Sequence, residues 1–313
     1  MAAALQLWGA MRETDRNFGA VTVLVGEKTG KYPDGNSVLV RGRDATLLID
    51  PSLSVAARAP ELGRVDLIVQ SHVHEDHVAG LFRFPDAAVH AHRLDLLGLL
   101  SLDGMMAIYG YTGSAGSALG EWLVANFSYR PRPDAQAYDD GAVFDLGGVT
   151  LRAVHLPGHT RGHCALLAEP PGVLFLGDID LTGFGPYYGD AWSDLADFER
   201  SLARVRELPA EVWVSFHHAG VITERAEFLA RLDRFAGRIA ERERAMLAFL
   251  AEPRSLDEMV AHRFLYPPHA QMSFIDAAER RTISQHLDRL ARAGQVVEHR
   301  AGVFSAGAHD EAR

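Results

Sequence analysis

A single cysteine, Cys164, stands in 313 residues, so the chain can close no internal disulfide and cannot build a thiolate cluster around a metal. Such usage fits the cytoplasm, where thiols stay reduced. Long apolar runs are missing too. Nowhere do about eighteen apolar residues follow one another, and the first twenty residues lack the basic start and continuous apolar stretch of a signal peptide. A soluble, cytoplasmic protein with no membrane partner is the expectation. Positive charge is in deficit, with 31 Lys and Arg against 41 Asp and Glu and a formal net charge of -10. That balance argues against a broadly cationic surface for nucleic acid or anionic lipid, although a local basic patch stays open. Material for a core is ample: 48% of residues are hydrophobic, enough for one large domain, or for one domain with a small appendage.

The densest chemistry lies in Ser71-His72-Val73-His74-Glu75-Asp76-His77, which sets five potential ligands within six positions. The cluster follows Val65 to Gln70, an apolar, β-branched run that reads as a strand, and precedes Val78 to Leu81, which could open a helix. In a strand His72 and His74 share one face, because side chains repeat with period two, while a turn at Asp76-His77 would carry those groups around a second point. A chance polar loop is the alternative. Packed together, however, these groups would repel or need protons unless a cation sat among them, and imidazole and carboxylate suit zinc, iron or manganese.

Short apolar runs at 21–25, 37–41, 45–50 and 87–91 read as further strands, separated by Gly, Pro, Asp and Asn. Asp50, before Pro51, reads as a turn cap outside the ligand set, and His90 and His92 as packed or solvated residues. Residues 93–140 combine a helical piece, Leu94 to Leu102, with Met105, Tyr109, Trp122 and a Gly/Ser patch. They are either core or a lid over an apolar substrate pocket lined by Met105 and Tyr109. Strands at 142–146 and 149–155 lead into Leu156-Pro157-Gly158-His159-Thr160, whose Pro-Gly turn would present His159 beyond the strand end. A strand at 173–176 ends on Gly177-Asp178, and one at 211–216 ends on His217-His218. Between them Ser193 reads as the cap of a helix with Phe198, Leu202 and Val205 on one face. This alternation is an α/β layer pattern. Phe184, Tyr187, Tyr188 and Trp192, in the Gly-rich loop after Asp178, either pack or line the pocket.

The ordered set His72-x-His74-x-Asp76-His77, His159, Asp178 and a histidine at 217 or 218 resembles the metallo-β-lactamase fold superfamily, in its glyoxalase II-like and lactonase-like branch, over about residues 18–225. The resemblance implies an αββα sandwich with the site at one edge of two packed sheets. It implies that His72, His74 and His159 bind a first metal, that Asp76, His77 and His217 bind a second, with His218 as the substitute for His217, and that Asp178 bridges the two. The chain departs from the family's Pro-Gly-His with Ser215-Phe216-His217-His218, and carries Arg161 and His163 after the second motif, where they either reach substrate or serve structure. The implied cofactor is two divalent cations, zinc with iron or manganese as alternatives. Such a pair lowers the pKa of a bridging water and polarises a carbonyl, which fits hydrolysis of a small ester, thioester, lactone or related acyl compound by a metal-bound hydroxide. Asp76 would also accept the nucleophile's proton. Cys164 is assigned to packing. The competing functions are a mononuclear iron oxidoreductase of the persulfide dioxygenase type and a nuclease or nucleic-acid-binding protein.

The expected division is a catalytic domain over 1–225, with 93–140 as the lid, and a helical, winged-helix-like module over 226–313. Phe228, Leu232, Phe235 and Ile239 recur at helical spacing, Pro253 breaks the pattern, and Ser255-Leu-Asp-Glu258 and Thr282-Ile-Ser-Gln285 both have the form of a capping box that starts a helix. Gly294 ends the last helix, and 296–298 with 302–304 form a two-stranded wing. Residues 279–300 hold five arginines against three acidic groups, too few for a phosphate-tracking surface. The module is therefore read as a structural or dimerising cap that could close the pocket of a homodimer. Tyr266-Pro267-Pro268 and His269 carry only their polarity as a pointer toward the site.

Overall fold

Period-two alternation in short strands sets the architecture of the chain, whose computed structural model describes residues 14–307. Residues 1–13, on which the absence of a signal peptide bears, and 308–313, the end of the expected module, lie outside the described residues. A seven-stranded sheet runs in chain order through β1 (Arg16–Phe18), β2 (Val21–Leu24), β3 (Ser37–Arg41), β4 (Thr46–Ile49), β5 (Leu67–Val69), β6 (Ala88–His92) and β7 (Gln136–Tyr138). It is antiparallel from β1 to β4 and parallel from β4 to β7. A six-stranded sheet holds β8 (Val143–Asp145), β9 (Thr150–His155), β10 (Cys164–Glu169), β11 (Val173–Phe175), β12 (Val212–Val214) and β13 (Val221–Ile222), in the order β13-β12-β11-β10-β9-β8. Val21, Val23, Val38, Val40, Leu47 and Ile49 pack against Leu151, Ala153, Cys164, Leu166, Phe175 and Val214 between the sheets. The alternate residues Leu24, Leu39 and Leu48 face a different cluster, and Ala165, Leu167 and Leu174 a third. The central strands are thus buried on both faces.

The outer face of the first sheet is covered by α1 (Leu53–Arg58), α2 (Leu97–Leu100), α3 (Leu102–Tyr109) and α4 (Gly113–Phe127), that of the second by α5 (Leu195–Arg206) and the first half of α6 (Arg225–Phe249). The result is the expected αββα sandwich. Trp213 stacks on Phe228 at 4.6 Å, both fully buried, and at about 1.5–3 kcal/mol per large apolar side chain such contacts hold α6 to the sheet. Cys164 is buried between the sheets, as packing requires. Past Ile239, α6 leaves the sandwich and joins a separate core of Met246, Leu250, Met259, Val260, Ile283, Leu287, Leu290 and Val296. That core sits among α7 (Leu256–His262), α8 (Ile275–Arg292) and a small sheet of β14 (Arg254–Ser255), β16 (Val303–Ala306) and β15 (Val296–Arg300). No helix among the described residues is long and apolar enough to cross a membrane.

Four local expectations change. Residues 78–81 open no helix, because the Gly80 N–H donates to the Pro51 carbonyl (2.7 Å) and leaves a single 3₁₀ turn at Leu81–Arg83. The helix expected over 94–102 shortens to α2, because Ser101 is extended and caps α3 instead. Asp194 rather than Ser193 caps α5, accepting from the Asp197 N–H at 2.7 Å. Of the two capping boxes, Ser255 and Glu258 form the reciprocal pair that starts α7, whereas Thr282 lies inside α8, because the buried stripe Ile275, Ala278, Ile283, Leu287 runs straight through it.

Candidate metal centre

The site lies where β4, β5, β9, β11 and β12 end, at one edge of the sandwich. His72, His74 and His159 meet there, with His72 Nε2 at 3.2 Å and His159 Nε2 at 3.0 Å from His74 Nδ1, and Asp178 Oδ2 3.3 Å from His159 Nε2. On the other side of Asp178, its Oδ1 is 3.0 Å from His77 Nε2, and His217 Nε2 is 3.0 Å from Asp76 Oδ2. The donor atoms of His72, His74, His159 and Asp178 lie within 4.8 Å of one another, as do those of Asp76, His77 and His217.

Four of the five rings hydrogen-bond their other nitrogen, and the fifth faces a carboxylate. His72 Nδ1 donates to Ser71 Oγ (3.1 Å), whose own proton goes to Asp50. His159 Nδ1 donates to the Tyr187 carbonyl (3.0 Å), His217 Nδ1 to the Gly30 carbonyl (2.9 Å) and His77 Nδ1 to Asp50 Oδ2 (2.7 Å). His74 Nε2 faces Asp190 Oδ2 at 3.2 Å. A neutral imidazole carries one N–H, so with every ring neutral the five inward nitrogens would present lone pairs to each other and to carboxylates. Cations between them would satisfy that arrangement, and the imidazole and carboxylate donors suit a divalent ion. The electrostatics divides the rings into those kept neutral and those drawn by carboxylates toward a positive charge that a cation would replace. Burial, reinforced by His77, His159 and His74, pushes His72 well below the ordinary imidazole value, and burial takes His159 down to about 4. At His217 the burial effect is outweighed by Asp178 and Asp76, which raise it to about 9.

A second ring of residues fixes the first. Asp50, buried and at φ 44°, accepts from the Ser71 N–H (2.7 Å), the Ser71 hydroxyl and His77. The Gln70 amide, in the orientation its neighbours require, donates to it at 3.1 Å. The turn-cap reading of Asp50 is thus too small: the carboxylate anchors His77. His163 donates to the Leu156 carbonyl (3.0 Å) and accepts the Asp178 N–H (3.1 Å), so it serves structure and does not reach the cavity. Asp95 accepts from Thr160 Oγ1 (2.5 Å) and the Gly162 N–H (2.8 Å), holding the turn that aims His159, and Ser193 donates to the His159 carbonyl at 2.7 Å. Gly177, at φ 54°, admits no side chain, since a Cβ would fall 2.6 Å from His163 Nε2.

A cavity of about 560 Å³ opens over the cluster. Tyr109 lines it, stacking on His74 (5.1 Å) and donating to Glu75, while Tyr32 donates to the same carboxylate at 3.0 Å. Tyr187 and Phe184 line it too, and Leu119, Trp122 and Leu123 of α4 form an apolar wall. Two pocket expectations are corrected. Met105 is buried in the core under the first sheet because it sits on the inner face of α3. Tyr188 points away from the cavity, its hydroxyl 2.8 Å from His286 Nε2 and within reach of Arg242 at 3.0 Å. Trp192 packs on the first-sheet core, with Arg161 over its ring at 4.8 Å. Of the two candidate histidines, His217 joins the cluster, whereas His218, at φ 47°, lines the cavity. Sequence reasoning missed Asp190, Tyr32 and the tail residues Met272, Phe274 and Arg281, and found in Tyr266 no more than polarity. All line the cavity.

The family described as Metallo-beta-lactamase superfamily matches residues 32–218. The chain is similar to the acyl-coenzyme A thioesterase MBLAC2 of Gallus gallus, with 30% identity over 199 residues, 56% of this chain and 69% of that protein. It is similar to the hydroxyacylglutathione hydrolase of Aeromonas hydrophila, with 29% identity over 195 residues, 60% of this chain and 62% of that one. In fold it is similar to a metallo-beta-lactamase family protein of Thermus thermophilus, at TM-score 0.68 and 24% identity, covering 92% of this chain and 99% of that one.

Proposed function

This chain belongs to the metallo-beta-lactamase superfamily, and from that premise we propose that it is a metal-dependent hydrolase of thioesters or related esters of small, largely apolar acyl groups. One observation carries the reading. Five buried imidazoles, four with the outer nitrogen hydrogen-bonded and the fifth, His74, facing Asp190, turn their inner nitrogens toward one another and toward Asp76 and Asp178. His72, His74 and His159 would hold one divalent cation, Asp76, His77 and His217 a second, and Asp178 would serve both, with zinc as the ion we favour over iron or manganese. Bound there, the ions supply a water of near-neutral pKa and a Lewis acid for the acyl carbonyl.

The protein's own groups do the rest. Asp76, with Oδ2 on His217 and Oδ1 3.9 Å from His77, is placed to take the proton of the attacking water. Tyr32 and Tyr109 tie down Glu75, so that its charge is satisfied by hydroxyls. Leu119, Trp122 and Leu123 of α4, with Met272 and Phe274 of the tail, give the cavity an apolar wall suited to an apolar acyl group. Both named relatives are hydrolases of thioesters by their names, which supports hydrolysis over iron oxidation, and the complete second set around His77 supports two ions over one. The single cysteine supports a cytoplasmic setting.

The test is turnover of a panel of short acyl thioesters by protein as purified, after chelation, and after zinc is restored. Loss and recovery of hydrolysis is expected. Undiminished hydrolysis after chelation would overturn the proposal.

A further inference from the structure

Resting on the hydrolase reading above, we propose that the cavity takes an ester or thioester carrying an anionic group remote from the scissile bond, and that Arg281 of the tail binds that group. Arg281 is the one Lys or Arg among the described residues that line the cavity. It is held without a counter-charge: Nη2 donates to the Gly110 carbonyl (2.9 Å) and Nη1 to that of Gly189 (3.4 Å), and no carboxylate among the described residues forms an ion pair with it. Its neighbours on α8 differ. Arg280 pairs with Asp257, and Arg289 with Glu199 and Glu243. Asp190, in the same cavity wall, is turned to His74 (3.2 Å) and Tyr187 (3.1 Å) instead.

A guanidinium has five N–H donors in a planar fork, and two are used here. Tyr111 has its ring 5.5 Å from the guanidinium carbon and its hydroxyl interacts with the same group, while Met272, Phe274 and Ala278 line the same cavity. Carboxylates and phosphates match the free edge of the fork. The backbone carbonyls that hold Arg281 belong to the segments bearing Tyr109 and Asp190, both of which contact His74. Tail and metal centre are therefore tied in one frame, and the anion would be read at a fixed distance from the reacting carbonyl. It could be carried by the acyl chain or by the thiol.

Three thioesters separate these sources: hexanoyl and adipoyl thioesters of N-acetylcysteamine, an uncharged thiol, and hexanoyl-glutathione. Metal-loaded wild type is expected to favour one carboxylate-bearing thioester over the neutral one by roughly tenfold or more in kcat/KM, expressed in KM. In Arg281→Met that preference should fall to near one, and Arg281→Lys should keep part of it. A loosened tail alone would not change the ratio between substrates. The inference is overturned if wild type favours neither charged thioester, or if R281M keeps the preference. If no thioester is turned over, the hydrolase reading fails by itself, and calorimetry of adipate against hexanoate then decides the anion site. A ratio of affinities that is the same in wild type and R281M would overturn it.

Discussion

Asp50→Asn isolates the second half of the metal centre. Asparagine keeps the shape and tolerates the left-handed backbone at φ 44°, so the change is one of hydrogen bonding. Its remaining oxygen can still take the Ser71 N–H, now at 2.7 Å. Its NH₂ replaces the Oδ2 that accepts from His77 Nδ1 at 2.7 Å, so donor would face donor. His77 is relieved only by moving its proton to Nε2, the nitrogen 3.0 Å from Asp178, which removes the lone pair offered to a metal. Loss of one charge-assisted hydrogen bond is worth about 1.5–3 kcal/mol, or roughly 10- to 100-fold in affinity for that ion. His74 and His159 make no contact with Asp50, and His72 reaches it only through the Ser71 hydroxyl, so the first ion should be affected less. Titration of the apoprotein with zinc against a chromophoric chelator resolves two affinities in wild type, and the variant should lose the weaker or second one selectively. Two wild-type affinities in Asp50→Asn, or equal losses at both, would refute the reasoning.

Other outcomes follow from the same geometry. Asp178→Ala should release metal and lower turnover roughly a hundredfold or more, with an unchanged circular dichroism spectrum, since its N–H contact with His163 is made by the backbone. Glu279, fully buried, accepts the N–H groups of Phe264, Leu265 and Tyr266 at 3.0, 3.0 and 2.8 Å. Glu279→Gln sets an amide against one of them, at about 1–3 kcal/mol, and should raise KM more than it lowers kcat, because the displaced loop carries Tyr266 into the cavity wall; an unchanged KM would argue against that link. His92, stacked on His155 at 4.2 Å, is lowered from 6.5 to about 4 by burial and by His155. The unfolded chain therefore binds its proton first as pH falls, and the stability this neutral ring contributes is complete above about 6.5 and lost toward about 4. Denaturant midpoints of wild type and His92→Phe should diverge across that window, and parallel curves would contradict the assignment.

The sandwich was legible because its strands are short, β-branched and read on both faces, as at Val38, Leu39 and Val40. The ligand candidates were legible because side chains at strand ends need few intervening contacts to converge. What escaped the sequence is held by tertiary contacts. α4 contains Gly113, Gly116 and Gly120, poor helix formers, yet Gly120 lets Leu102 approach where a Cβ would stand 3.0 Å from it, and packing overrides propensity. Thr282 has the pattern of a capping box but no free N-terminus to cap, because Ile275 and Ala278 already start the buried stripe. Asp50 looked like any carboxylate before a proline. Its role depends on β4 lying parallel to β5, which brings the strand's end beside Ser71 and His77. Arg281 lies far from His77 in the chain, and only α8 brings it over the cavity.

The most direct test is metal content per chain, by mass spectrometry of the elements, on protein purified without added metal and then equilibrated with zinc. The lone pairs of five oriented histidines predict about two equivalents per chain. One equivalent that does not rise with added zinc would contradict a second ion at Asp76, His77 and His217, and none would contradict the metal centre itself.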